Sequence, residues 1–271
     1  MELYKEGQFC FYKENDIIDE MILTGYDLDA EMNEMESRGI SGIWLNRYFC
    51  DKRINDLSFL KEHPNITKVY IVDDDFDCRV ISEMTQLKCL QIQTAKSIDF
   101  SRLENLNILI SNTIGTKGLP PNIEVLHLWD YKFQDGSLKT IRFPNSLKCL
   151  ELIKNNLTSL SGLPGGLQRL GIYYNRKLMS LCGLEASGSS IEELEVNHCP
   201  NLIDYSSLQN CSNLRKLILI KSGNIPSLSL LETAKGLKHL TLAGVLVLDK
   251  DLSYASSIPY TYITNMRYYR K

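Results

Sequence analysis

One phrase recurs along the chain and limits what it can fold into: an apolar residue, two variable residues, a second apolar residue, one variable residue and a third apolar residue. Its clearest copies are Leu147-Leu150-Leu152, Leu167-Leu170-Ile172, Ile191-Leu194-Val196, Leu214-Leu217-Leu219 and Leu237-Leu240-Leu242. Weaker copies start at Ile40, Ile66, Leu87, Leu106 and Ile123, so that ten starts lie 17 to 26 residues apart. Around Leu106 two registers compete, Leu103-Leu106-Ile108 and Leu106-Leu109-Ser111. The last two apolar positions of each phrase are two apart and point to one side of a short strand. A further apolar residue follows the start by ten or eleven positions, at Leu157, Leu178, Leu202, Ile225 and Leu248, and should turn inward from the opposite wall. A single turn of this kind has one layer of apolar side chains and nothing to bury them against; stacked turns bury them mutually.

Eight residues after the start stand Asn155 and Asn175, with Cys199 and Ser222 at the equivalent place in later copies. A buried amide there can bond the backbone of neighbouring turns where a tight bend leaves polar groups open. Segments such as Ser159-Leu160-Ser161-Gly162-Leu163-Pro164-Gly165-Gly166 hold too much Gly and Pro for long helices, so the return path should consist of turns and 3₁₀ pieces.

The phrase and its short period resemble the bacterial-type short leucine-rich repeat family over residues 40–252, about ten repeats. The resemblance implies an α/β leucine-rich repeat solenoid: a curved parallel β-sheet with short turns and 3₁₀ segments on its convex side. A solenoid needs atypical ends to cover its terminal layers. Residues 1–39 are expected to form a helical N-terminal cap. Ile17, Ile18, Met21 and Ile22 recur at helical spacing, and Leu28, Met32 and Met35 do so again, with Asp27 as N-cap and Gly39 as stop. Residues 253–271 depart from the repeat and read as a strand-like C-terminal cap. That segment, with Leu248 to Leu252 before it, resembles the C-terminal cap of bacterial leucine-rich repeat proteins, some of which are associated with interbacterial toxin systems as immunity proteins.

Composition narrows the partners. A formal net charge of -3 with interspersed signs gives no broad footprint for nucleic acid or anionic lipid. The opening Met1 to Glu6 lacks a basic segment leading into an apolar core, so no secretory signal is expected. Apolar runs such as Ala243 to Leu248 are far shorter than the roughly 20 residues that a membrane span requires. Eight scattered cysteines without a CxxC pair read as thiols of a cytoplasmic chain.

Function should reside where side chains leave the core, two, four and six places after each start. The four-place column contains Trp44, Tyr70, His127, Glu151 and Glu195, and the six-place column contains Trp129, Ile153 and Tyr173. Both tryptophans fall in these columns, and large aromatics are enriched among interface hot spots. Trp129, Ile153 and Tyr173 should form an apolar track, with His127 and Glu151 as its polar rim. Asp130, Tyr174, Glu193 and His198 complete the candidate partner-binding set, in which the carboxylates form an acidic stripe suited to a positively charged partner. The histidines are spread over different repeats without zinc-module spacing, so no metal is expected. The run Asp73-Asp74-Asp75-Phe76-Asp77 lacks the EF-hand order, and Leu163-Pro164-Gly165-Gly166 lacks the P-loop lysine. With no nucleophile and base constellation and no cofactor motif, the expectation is a non-enzymatic scaffold that binds another protein, a toxin or effector in its most specific form, on the concave face. The alternatives are a substrate-recruiting part of an enzyme system and a structural or self-assembling solenoid.

Overall fold

A computed structural model of the chain describes residues 2–14, 17–50, 54–72, 76–94 and 98–269 and divides into two units, Met1–Ile123 and Glu124–Lys271. In both, mostly parallel strands succeed one another in chain order, joined by short 3₁₀ turns and few helices. The first unit contains β1 (Glu2–Glu6), β2 (Phe9–Glu14), β3 (Ile17–Ile22), the helix α1 (Leu28–Arg38), β4 (Gly42–Leu45), β5 (Lys68–Ile71), β6 (Cys89–Ile92) and β7 (Ile108–Ser111). The second contains β8 (Val125–Trp129), β9 (Cys149–Ile153), β10 (Arg169–Tyr173), β11 (Glu193–Asn197), β12 (Lys216–Ile220), β13 (His239–Ala243) and β14 (Tyr260–Ile263). Among the described residues no helix is long and apolar enough to cross a membrane.

The phrase forms the core as its spacing requires. Leu126, Leu150, Leu170, Leu194, Leu217 and Leu240 are buried in one column of the second unit, and Leu128, Leu152, Ile172, Val196, Leu219 and Leu242 in the next. Direct pairing of Leu170 with Leu150 and Leu194 keeps these side chains in register from strand to strand. The ambiguity around Leu106 resolves in favour of Leu106-Leu109-Ser111, because Leu109 pairs with Leu90 while Leu103 lies in the preceding turn. On the opposite wall Leu157, Leu178, Leu202 and Ile225 are buried as expected. Leu248 is not: it is 50% exposed, and Val247 takes the inward place by bridging to Ile225. The return path in the second unit runs through 3₁₀ turns at Leu184–Ser187, Ser206–Asn210, Leu228–Leu231 and Tyr254–Ser257.

Of the two helices expected at the N-terminus, one forms and one is a strand. α1 starts at Asp27, whose carboxylate accepts from the Ala30 N–H at 3.1 Å, and stops at Gly39, whose φ of 66° suits a residue without Cβ. Its Met32 and Met35 face inward. Ile17 to Ile22, by contrast, form β3, which pairs parallel with β4 through Met21 and Ile43 and antiparallel with β2. Three isoleucines in six residues favour the pleated surface, and a strand here gives the first edge of β4 the backbone partners that a helix could not supply. β1 forms the terminal strand of this unit, and its Glu2, Lys5 and Glu6 are exposed charges of the kind that discourage further pairing. At the other end β14 bears out the expected C-terminal strand, followed by a 3₁₀ turn at Met266–Tyr268; Arg270 and Lys271 lie outside the described residues, as do Asp73, Asp74 and Asp75.

The turns leaving β8 to β13 repeat a single backbone device. Asp130, Lys154, Tyr174, His198 and Lys221, seven places after their starts, all have φ between 44° and 58°, and Gly244 has 67° at the same place. At four of these turns the next residue, Asn155, Asn175, Cys199 or Ser222, points inward, and its side chain reaches one carbonyl of the preceding strand and one of the bend. Asn155 Nδ2 donates to Leu128 O at 3.3 Å and Tyr131 O at 3.1 Å, and Asn175 Nδ2 to Leu152 O at 2.7 Å and Tyr173 O at 3.0 Å. Ser222 Oγ performs the same task toward Val196 O and Ile220 O, at 3.2 and 3.0 Å. The longer contacts of Cys199 Sγ, 3.9 Å to Ile172 O and 3.6 Å to Asn197 O, are the weak version. Asn175→Ala should therefore cost about 1–3 kcal/mol, the usual penalty for stranding buried acceptors, while Asn175→Ser should recover part of it. Urea melts of the two variants check this: equal stability of both would mean that the amide is not what closes the bend.

Candidate protein-binding face

The outward positions of β8 to β12 stand in the registers that the repeat spacing implies. Trp129 pairs with Ile153, and Ile153 with Tyr173, placing the three on consecutive strands in one column. Trp129 is 47% exposed, and the Lys154 ammonium lies 5.5 Å from its ring centroid. Ile153 and Tyr173 are half-buried. Tyr173 does not simply stand upright in its column: a Cβ added at Gly171 would lie 2.6 Å from its ring, so the phenol folds back across the space that glycine leaves in the adjoining column. Burial, together with the carboxylates of Glu195 and Glu151, lifts its pKa to about 12.

His127 and Glu151 adjoin the track, as expected, with Nδ1 and Oε2 3.4 Å apart. Burial pushes the imidazole below its ordinary pKa against the opposing pull of Glu151, so the pair is a polar contact of a neutral ring at neutral pH. Arg169 reaches the other Glu151 oxygen at 3.5 Å, and Lys216 lies 3.6 Å from Glu193 on the directly opposed strand position. The expected acidic stripe is thus largely neutralised within the sheet by two cations that emerge in the two-place column. Only Glu195 among these carboxylates lacks a cation within ion-pair distance among the described residues.

Asp130, Tyr174 and His198 sit at the left-handed turn positions, on the rim of the face rather than on the strands. Asp130 binds Lys132 at 2.5 Å, and Tyr174 stacks on His198 with centroids 4.7 Å apart. His198 Nδ1 also contacts Asn197 Oδ1 at 2.5 Å. Among the described residues no three histidine, cysteine or acidic side chains gather as a metal site.

Trp44 and Tyr70 belong to the first unit and are occupied there. Their rings stack at 4.3 Å and 10°, Tyr12 meets Trp44 edge-on at 4.9 Å, and Trp44 Nε1 donates to Glu20 Oε2 at 2.5 Å. Glu20 itself is buried and lies across Gly42, where a Cβ would come within 2.8 Å of its Cγ. Tyr70 is pushed far above the ordinary phenol range, first by burial and then by Cys89 and Glu20. Trp44 is therefore tied into the packing around β2 and β3, whereas Trp129 is not.

Sequence columns at two, four and six places do not reach the rim, so they miss its cations Lys132, Lys154, Arg176 and Lys177. The available signal was local: lysine and arginine recur seven to ten places after three consecutive starts, at Ile123, Leu147 and Leu167. Arg169 and Lys216 were legible in the two-place column but make sense only once paired across strands. No protein-family model and no curated protein matches the chain.

Gly171 gives this face a specific test. Gly171→Val should displace the Tyr173 ring and, by exposing the phenol to water, return its pKa from about 12 toward the ordinary value near 10. NMR titration of ring-labelled tyrosine, with Tyr173→Phe to assign the signal, reads the shift. An unmoved titration would show that the glycine does not seat the ring.

Proposed function

We propose that this chain is a leucine-rich repeat protein of the short bacterial type, a curved solenoid whose strand-lined concave face binds another protein without catalysing a reaction. The observation that carries the reading is Trp129. A large aromatic at the end of a core strand is nearly half exposed and stands in register with Ile153 and Tyr173. Such an anchor beside a hydrogen-bonded polar edge, here His127, Glu151 and Arg169, matches the anatomy of a protein interface. The repeat assignment rests on the recurring phrase, the in-register leucine columns and the inward amide or hydroxyl after β9, β10 and β12.

Within that reading, the neutralisation of a toxin or effector in the cytoplasm is the most specific version, and it rests on the resemblance of the C-terminal segment. Co-expression with candidate effectors should protect against one cognate toxin and leave unrelated toxins unaffected. Protection without direct binding, or binding without protection, would separate the immunity role from the scaffold role.

Trp129→Ala should weaken binding of a partner recovered by pull-down by about 2 kcal/mol, and Tyr173→Ala by a similar amount, with circular dichroism and melting cooperativity almost unchanged. Calorimetric titration of both variants checks it. If both bind as the unaltered chain does, the recognition surface lies elsewhere.

A further inference from the structure

We propose that the rim at the ends of β8, β9 and β10 receives an acidic segment of the partner protein, whose carboxylates pair with Lys132, Lys154, Arg176 and Lys177 while its apolar residues meet Trp129 and Tyr174. The inference rests on the protein-binding reading of the adjoining face and gives that partner a chemical character opposite to the one an acidic stripe would select. Three observations carry it. First, the rim holds an open recess of about 410 Å³ lined by those four cations and Tyr174, with no carboxylate in its wall. Second, the charges are not spent internally. Asp130 binds Lys132, but among the described residues no carboxylate lies within ion-pair distance of Lys154, Arg176 or Lys177, and all three are exposed. On the sheet beside them the balance is reversed, since Glu151 and Glu193 are already met by Arg169 and Lys216. The net unsatisfied field of this edge is therefore positive. Third, two exposed aromatics stand at the recess: Tyr174, 46% exposed, lines it, and Trp129, 47% exposed, lies under the ammonium of Lys154.

The turn geometry explains why the charges converge. Each strand exits through a left-handed residue, so Lys154 and Tyr174 project from equivalent places on adjacent strands, and the inward Asn155 and Asn175 hold those bends fixed. Strands succeed one another about 4.8 Å apart, so successive turns bring the four cations into the wall of one recess, where like charges repel with little salt between them. Lining them up costs repulsion that an anionic ligand relieves. A protein segment suits the site better than a polynucleotide. Glu195, which has no cation within ion-pair distance among the described residues, emerges on the next strand, where it would meet a continuous phosphate chain with like charge, whereas a peptide can place its carboxylates over the rim and neutral residues over the sheet.

The test uses the full chain and a fluorescein-labelled glutamate-rich peptide that carries tryptophan and leucine between its acidic residues, with a DNA duplex of equal charge as the comparison. At about 0.15 M salt, fluorescence polarisation should show peptide binding that weakens by about tenfold or more in the triple variant Lys154→Glu, Arg176→Glu, Lys177→Glu. Reversal of three cations elsewhere in the same unit, Lys139, Lys235 and Lys238, should leave affinity within about twofold, which separates the site from net charge. Because the substituted residues are exposed, circular dichroism should not change; the milder Lys154→Gln, Lys177→Gln pair serves if it does. Absence of peptide binding, equal loss in the control reversal, or tighter binding of the duplex that the rim variant abolishes would each overturn the proposal. A recovered partner that still binds the rim variant but not Trp129→Ala would overturn it as well, while leaving the protein-binding reading intact.

Discussion

Each turn of this chain presents one layer of leucine-type side chains, and only the turns on either side can remove that layer from water. Leu194 has Leu170 and Leu217 beside it in register, and each of those depends in the same way on the next. Burial of a leucine is worth roughly 1.5–3 kcal/mol, but here the gain exists only if the neighbour is also folded. Everything else follows from that dependence: strands must pair parallel, turn lengths must match, and the terminal layers must be covered by chain that does not repeat.

Stacking in turn creates a polar problem at the strand ends. A tight bend directs carbonyls inward, where water cannot reach them, and an open buried acceptor is costly. At four turns the second unit meets the problem with one short donor, of which the amides of Asn155 and Asn175 and the hydroxyl of Ser222 make full hydrogen bonds and the thiol of Cys199 the weakest. The left-handed residue before each donor is the geometric condition for aiming it. Non-glycine residues accept that conformation at some energetic cost, so the positions are free to carry lysine, tyrosine or histidine on the outside. The bend that completes the core thereby also builds the exposed rim.

The charges follow the same division between strand and bend. On the strands, opposite charges at neighbouring register positions meet and cancel, as Glu193 and Lys216 do. At the bends the side chains splay outward, and lysines there find little to pair with. A chain with a formal net charge of -3 can thus hold a locally cationic edge, because net charge counts residues without regard to which of them have already been neutralised.

What the sequence by itself determined is whatever depends on periodicity: the strand positions, the buried columns, the inward amides, the 3₁₀ return and the in-register set Trp129, Ile153 and Tyr173. Those follow because a two-residue alternation fixes which side of a strand a residue occupies, and the repeat length fixes its neighbour. The N-terminal end was half legible. α1 announced itself by Asp27 and Gly39, but the spacing of Ile17, Ile18, Met21 and Ile22 fits a helix and a strand alike, and only the exposed edge of β4 decided for the strand. The tertiary structure alone separated Trp44, bonded to Glu20 and stacked on Tyr70, from the open Trp129, although both occupy outward columns. It alone paired Arg169 with Glu151 and left Lys154, Arg176 and Lys177 together at one edge. A repeat pattern specifies the side a residue faces; which cation meets which carboxylate, and which aromatic is covered, depends on side-chain reach across strands that are distant in the chain.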